Sequence, residues 1–121
     1  MAACIKTLHT HHVAHRDIKL DNILITKIEA GGLVEVKLGD LGFSELVTEH
    51  APMSKRVGTL GYIAPEILLK QPYNLSCDIF SLGCLSYALC GGQLPFEHQC
   101  QEMIEHGICY REPSYLENAW Q

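Results

Sequence analysis

Apolar and polar positions alternate with a readable rhythm along this chain. Ile5 and Leu8 lie three apart, on one helical face, and the polar exit THTHH follows, so residues 1–11 read as the end of a helix. NILIT (22–26) and LVEVKL (33–38) read as two strands, joined through KIEAGG, whose glycine pair suits a hairpin. In the second strand Leu33, Glu35 and Lys37 alternate with Val34, Val36 and Leu38, which leaves one face wetter than the other. Residues 43–63 lose the rhythm and are expected to form a long loop, and long loops in compact domains are usually functional or disordered. APEILLK (64–70) fits a short helix with Pro65 in its first turn.

The strongest helix is NLSCDIFSLGCLSYALCGG. Ser76 is its expected N-cap, Asp78 suits the positive end of the dipole, and Gly91 and Gly92 stop it. Ile79, Phe80, Leu82, Cys84, Leu85, Ala88 and Leu89 leave almost no polar face, so it is expected to be buried on every side. HQCQEMIEHG (98–107) reads as an amphipathic helix ending at Gly107. YREPSYLENAWQ is irregular, with room for a further helix to begin in its last residues.

Composition narrows this picture. The 121 residues suit one domain, and 47% hydrophobic with 19% charged residues is ordinary for a globular chain and argues against disorder. A formal net charge of −5 gives no reason to expect nucleic acid or an anionic membrane as partner. No apolar run approaches the roughly 20 residues that cross a bilayer, and MAACIKTLHTHH lacks the basic start and apolar core of a signal peptide. The six cysteines contain no C-x-x-C, so they read as reduced thiols of the cytoplasm or the nucleus. Cys84 and Cys90, inside the apolar helix, are expected to be small core residues. HTHH (9–12) invites a metal-site reading, but no second cluster has zinc spacing, so it reads as an exposed helix end.

The chemistry sits in VAHRDIKLDNILI (13–25). His15, Arg16, Asp17, Lys19, Asp21 and Asn22 crowd into eight residues before an apolar strand begins. Phosphoryl transfer needs a carboxylate to orient a hydroxyl, oxygen ligands for magnesium, and cations to offset developing charge. Asp17, Lys19 and Asn22 supply such a set, and the hairpin returns a second carboxylate, Asp40. Two ligands at the ends of paired strands can converge on one metal, and Gly42 lets the backbone turn beside them.

Here the chain resembles the eukaryotic protein kinases. HRDIKLDN, DLG, GTLGYIAPE and DIFSLG occur in the order and approximate spacing of that family's C-terminal lobe, over nearly all of residues 1–118. The resemblance implies an α+β, kinase-like fold: a mainly helical C-lobe fragment with a short β-hairpin, its N-lobe absent. Residues 1–121 would be one partial catalytic domain, with a catalytic loop at 15–22, DLG at 40–42, an activation segment at 40–66 and a central helix at about 77–90. It implies Asp17 as catalytic base, Lys19 as contact to the transferred phosphate, and Thr59 as partner of both, a Ser/Thr-kinase feature. Asn22 and Asp40 would bind Mg2+ and, with Lys19, ATP. His15, Arg16, Gly42, Glu66 and Asp78 would be structural anchors, and a protein would be the substrate.

The chain departs from the family pattern in places. Leu41 follows Asp40 where most members have Phe, and is expected to fill the same apolar slot. An Arg before the catalytic Asp marks kinases in which it binds a phosphorylated activation loop. The position four before Thr59, which carries that phosphate, is Lys55 here and would repel Arg16; Ser54 is the nearest substitute and Thr48 a weaker one. No G-x-G-x-x-G loop, V-A-I-K-type lysine or partner Glu is present, so the missing N-lobe segment is expected in a longer parent chain. Two functions stay open: a fragment of a Ser/Thr kinase whose parent transfers the γ-phosphoryl of ATP, or an inactive kinase-like fragment that binds a partner or competes with a full kinase.

Overall fold

Helix α1 (Ala2–Thr10) leads into strand β1 (Val13–Ala14), a 3₁₀ turn at Leu20–Asn22, and strands β2 (Ile23–Ile28), β3 (Val34–Leu38) and β4 (Glu45–Leu46). Helices α2 (Pro65–Leu68), α3 (Ser76–Gly91) and α4 (Gln101–Tyr110) follow. This computed structural model describes residues 1–48 and 51–113, so a further helix in the last residues lies outside the described residues. Among the described residues, four helices and two small antiparallel sheets make a mixed α and β chain, as expected.

The β2–β3 hairpin forms where its pattern places it. Ile23 pairs with Leu38 and Ile28 with Val34, and an irregularity at Ile25/Lys27 interrupts the register. The turn closes through Glu29 N–H to the Leu33 carbonyl at 2.8 Å, with Gly31 and Gly32 at φ +100° and +83°, a region open to glycine at no steric cost. The other sheet was not legible. β1 and β4 are two residues each, paired Val13–Leu46 and Ala14–Glu45. Residues 43–63 are therefore no featureless loop: they hold β4 and a second pairing in which Met53 and Tyr73 exchange backbone hydrogen bonds at 3.0 Å.

Helix α3 is the central beam. Cys77 joins a core with Ala14, Met53, Ile63, Ala64, Ile67, Tyr73 and Ile108. Cys84 and Leu85, about two turns further on, join a second core with Ile5, Ile18 and Tyr62, and the half-buried Phe80 packs against both. Leu85 is wholly buried. Burial is nevertheless not all round: Ile79 is 55% exposed and Leu89 64%. Cys90, expected inside, is exposed too, because it lies on the same outer face near the helix end.

Two expected helix ends move. Ser76 is not the N-cap; it is the first helical residue, and its own N–H donates to Asn74 Oδ1 at 2.8 Å. The C-terminus stops as expected, with Gly92 left-handed at φ +74° and its N–H on the Ala88 carbonyl at 2.9 Å. Gly107 does not end α4. It lies buried within that helix, where an added Cβ would meet the Phe96 ring at 3.4 Å, so its role is close packing rather than termination.

Candidate active site

The loop between β1 and the 3₁₀ turn owes its shape to one buried carboxylate from α3. Asp78 is fully buried; its Oδ2 accepts the His15 N–H and its Oδ1 the Arg16 N–H, each at 2.8 Å. His9 Nε2 donates to Oδ2 at 2.8 Å as well. A buried charge is tolerable when hydrogen-bonded on every side, and Asp78 is. These bonds hold Arg16 at φ +68°, a left-handed conformation that a side-chain-bearing residue adopts only under external constraint. His9 is thus an integral partner rather than an exposed helix end. No linear signal could show a bond across 69 positions.

His15 bridges the two ends of the site. Its Nδ1 accepts the Asp17 N–H at 3.3 Å, which leaves Nε2 to donate to the Gly39 carbonyl at 3.0 Å. The Gly39 N–H in turn donates to the Asn22 carbonyl at 2.8 Å. The Ile23–Leu38 pairing and this bond place Asp40 one residue beyond the backbone contact to Asn22. Asp40 sits at φ +58°, with its Oδ1 accepting the Gly42 N–H at 3.0 Å.

Around Asp17 the side chains close a ring. Thr59 Oγ1 donates to Asp17 Oδ1 at 2.6 Å and accepts from Lys19 Nζ at 2.8 Å. Lys19 Nζ also lies 3.0 Å from Asp17 Oδ2. Asn22 Nδ2 donates to Asp17 Oδ2 at 3.1 Å and to the Asp17 carbonyl at 2.8 Å. Burial alone would raise the Asp17 carboxyl's pKa. Hydrogen bonds from Thr59, Lys19 and Asn22 and the Lys19 charge outweigh it and hold the group below the ordinary carboxylate value. Oδ1 accepts one side-chain hydrogen bond and Oδ2 two, so Oδ1 keeps a lone pair for an incoming proton donor. Asn22 gives its amide nitrogen to Asp17, which leaves its oxygen as a donor for a hard cation.

Thr59 reaches the ring because Gly58, at φ +110°, passes tight against the loop; a Cβ there would meet the Arg16 carbonyl at 2.8 Å. Tyr62 continues the attachment to α3, its carbonyl accepting from Ser81 Oγ at 2.7 Å.

Four residues singled out in the sequence make few of the contacts expected of them. Glu66 makes only a long 3.5 Å contact with Ser76 Oγ and no ion pair among the described residues. Leu41 fills no apolar slot: it is 57% exposed, because the groove it borders, with Cys4, Thr7 and Leu8, is open on one side. Ser54 and Thr48 are exposed, and neither is a partner of Arg16. Arg16 instead engages Phe43, Glu45 and Tyr73, none of which the sequence had marked.

Residues 1–118 match the family model of the protein kinase domain. The chain is 40% identical over 116 residues to the serine/threonine-protein kinase polo of Drosophila melanogaster, covering 93% of this chain and 19% of that protein. It is 39% identical over 111 residues to an Aurora kinase of Dictyostelium discoideum, covering 89% of this chain and 27% of that protein. The chain thus spans 19% and 27% of the length of these two relatives.

Proposed function

The chain belongs to the protein kinase family, and from that premise we propose that it is the C-lobe part of a Ser/Thr kinase catalytic domain. Its parent would transfer the γ-phosphoryl of ATP to a protein hydroxyl. The observation that carries this reading is the ring Asp17–Thr59–Lys19, which joins the polar loop to a segment 42 positions away.

In this reading Asp17 is the catalytic base. Its depressed pKa keeps it ionised at neutral pH, and the free lone pair of Oδ1 receives the substrate hydroxyl. Lys19, held by Asp17 and Thr59, presents its ammonium where negative charge develops on the transferred group. The Asn22 amide oxygen and the Asp40 carboxylate would hold Mg2+, and two oxygen donors fit a cation that keeps waters and phosphate oxygens as its other ligands. Bound Mg2+ would neutralise charge on those phosphate oxygens. Lys19 and Thr59 favour serine and threonine as acceptors, in keeping with the serine/threonine kinase polo as a relative. His15, Arg16, Gly42 and Asp78 fix the loop, and Ser54 and Thr48 are the candidate modification sites of the segment over 40–66.

The test is Asp17→Asn in a chain spanning the whole catalytic domain. Phosphotransfer should fall by at least about a thousandfold, a loss of about 4 kcal/mol of transition-state stabilisation, while ATP binding persists. Near-normal turnover would remove Asp17 from its role. A second reading, a non-catalytic module that binds a partner or competes with a full kinase, is favoured by the exposed apolar side chains Ile25, Ile28, Leu33 and Leu46. Mg2+-dependent ATP binding by the 121-residue chain separates the two: binding favours the catalytic reading, its absence the module.

A further inference from the structure

We propose that Glu45 is the resident counter-ion of Arg16, a positioning residue that holds the Asp17 loop with no phosphate on the segment over 51–59. The consequence for transfer rests on the reading above; the ion pair itself does not.

Arg16 is 7% exposed, and a guanidinium that buried requires a partner for its charge. Its Nε donates to the Phe43 carbonyl at 2.6 Å, and its Nη1 to Tyr73 Oη at 3.1 Å. Both partners are neutral. Among the described residues the charge is met by Glu45, whose Oε2 lies 2.6 Å from Nη1. The backbone delivers this contact: β1 pairs with β4 so that Glu45 stands opposite Ala14, two residues before Arg16. The segment that would carry a phosphate meets Arg16 in a different way. Tyr73 Oη donates to the Lys55 carbonyl at 2.6 Å, so the link to position 55 runs through a phenol and a backbone oxygen. The side chain at 55 is a cation and exposed, so it brings no negative charge to Arg16.

Glu45 matters to Asp17 because Arg16, which it pairs, directly precedes Asp17 in the chain. Arg16 is left-handed at φ +68°, and Asp17 follows it directly. Asp78 fixes the Arg16 N–H, while Glu45, Phe43 and Tyr73 fix the guanidinium, so the residue is held at both ends. The Glu45 side chain is 40% exposed. Once it is removed, a small anion from solution can reach the same guanidinium.

The experiment is thermal unfolding of the full 121-residue chain as wild type, Glu45→Ala and Glu45→Gln. Each is measured in sodium phosphate and in sodium chloride of matched ionic strength. Both variants should unfold about 4–8 °C lower in chloride. Phosphate should restore at least half of that loss in Glu45→Ala and move the wild type by less than about 1 °C, since its guanidinium is already paired. Glu45→Gln keeps the shape and loses the charge, so it decides the matter should Glu45→Ala fail to fold. Unchanged midpoints in the variants, or recovery no better in phosphate than in chloride, would overturn the proposal. A wild type strongly stabilised by phosphate would overturn it as well. None of these readouts involves ATP, so failure of the kinase reading would appear separately, as a lack of transfer with the ion pair intact.

Discussion

A single carboxylate, Asp17, receives three side-chain donors, and the balance between burial and those donors sets its chemistry. Thr59→Val keeps the side-chain shape, removes the donor to Oδ1 and releases Lys19 Nζ from one of its two acceptors. In a chain spanning the catalytic domain, steady-state kinetics should show kcat about 10–100-fold lower, equivalent to about 1.4–2.8 kcal/mol. The pH dependence has a definite sign. The Asp17 pKa is lowered in the folded chain from 3.8, so its contribution to stability is fully present above that value and lost as pH falls through the lower folded pKa. Unfolding midpoints should therefore show no Asp17-linked loss between pH 5 and 8, and Asp17→Asn should flatten the decline below about pH 4. The cysteines divide at the same scale. Burial pushes the Cys77 and Cys84 thiols up to about 12, so they stay protonated and inert. Native-state alkylation at pH 8, read by peptide mass, should label the exposed Cys90 and Cys100 and spare Cys77 and Cys84.

At the scale of elements, α3 does more than fill the centre. It carries Asp78 to the underside of the loop that holds Asp17 and Ser81 to the Tyr62 carbonyl, so one helix registers two segments that meet at Asp17. Asp78→Ala would leave two buried backbone N–H groups and the His9 ring without their acceptor. The cost should be about 3–5 kcal/mol in denaturant unfolding, comparable to the whole stability of a small domain. Leu85→Ala, in the second core and wholly buried, should cost about 2–5 kcal/mol by cavity formation while leaving the loop's hydrogen bonds intact. Together they separate what α3 contributes by packing from what it contributes by anchoring.

At the scale of the whole molecule, the described residues leave apolar surface uncovered on the hairpin and on α3. The hairpin exposes Leu24, Ile25, Ile28 and Leu33, and the outer face of α3 exposes Ile79 and Leu89. The chain by itself should therefore bind a hydrophobic dye and self-associate at micromolar concentration, and sedimentation velocity with dye fluorescence would measure both. Among the described residues no helix is long and apolar enough to cross a membrane. Much of this was legible in the linear chain. The helix over 76–91, the glycine-closed hairpin and the residues Asp17, Lys19, Asn22, Asp40 and Thr59 follow from periodicity, turn chemistry and motif spacing, all of which are local. The bonds Asp78 to His9, Arg16 to Glu45 and Tyr73 to Lys55 were not. Each joins positions that become neighbours only after β1 pairs with β4 and α3 packs beneath the loop, and strands of two residues leave no periodic trace. The sequence by itself determined which chemical groups the site contains. The tertiary structure alone decided which charges meet, because a buried charge takes whatever partner the packed backbone brings within hydrogen-bond reach.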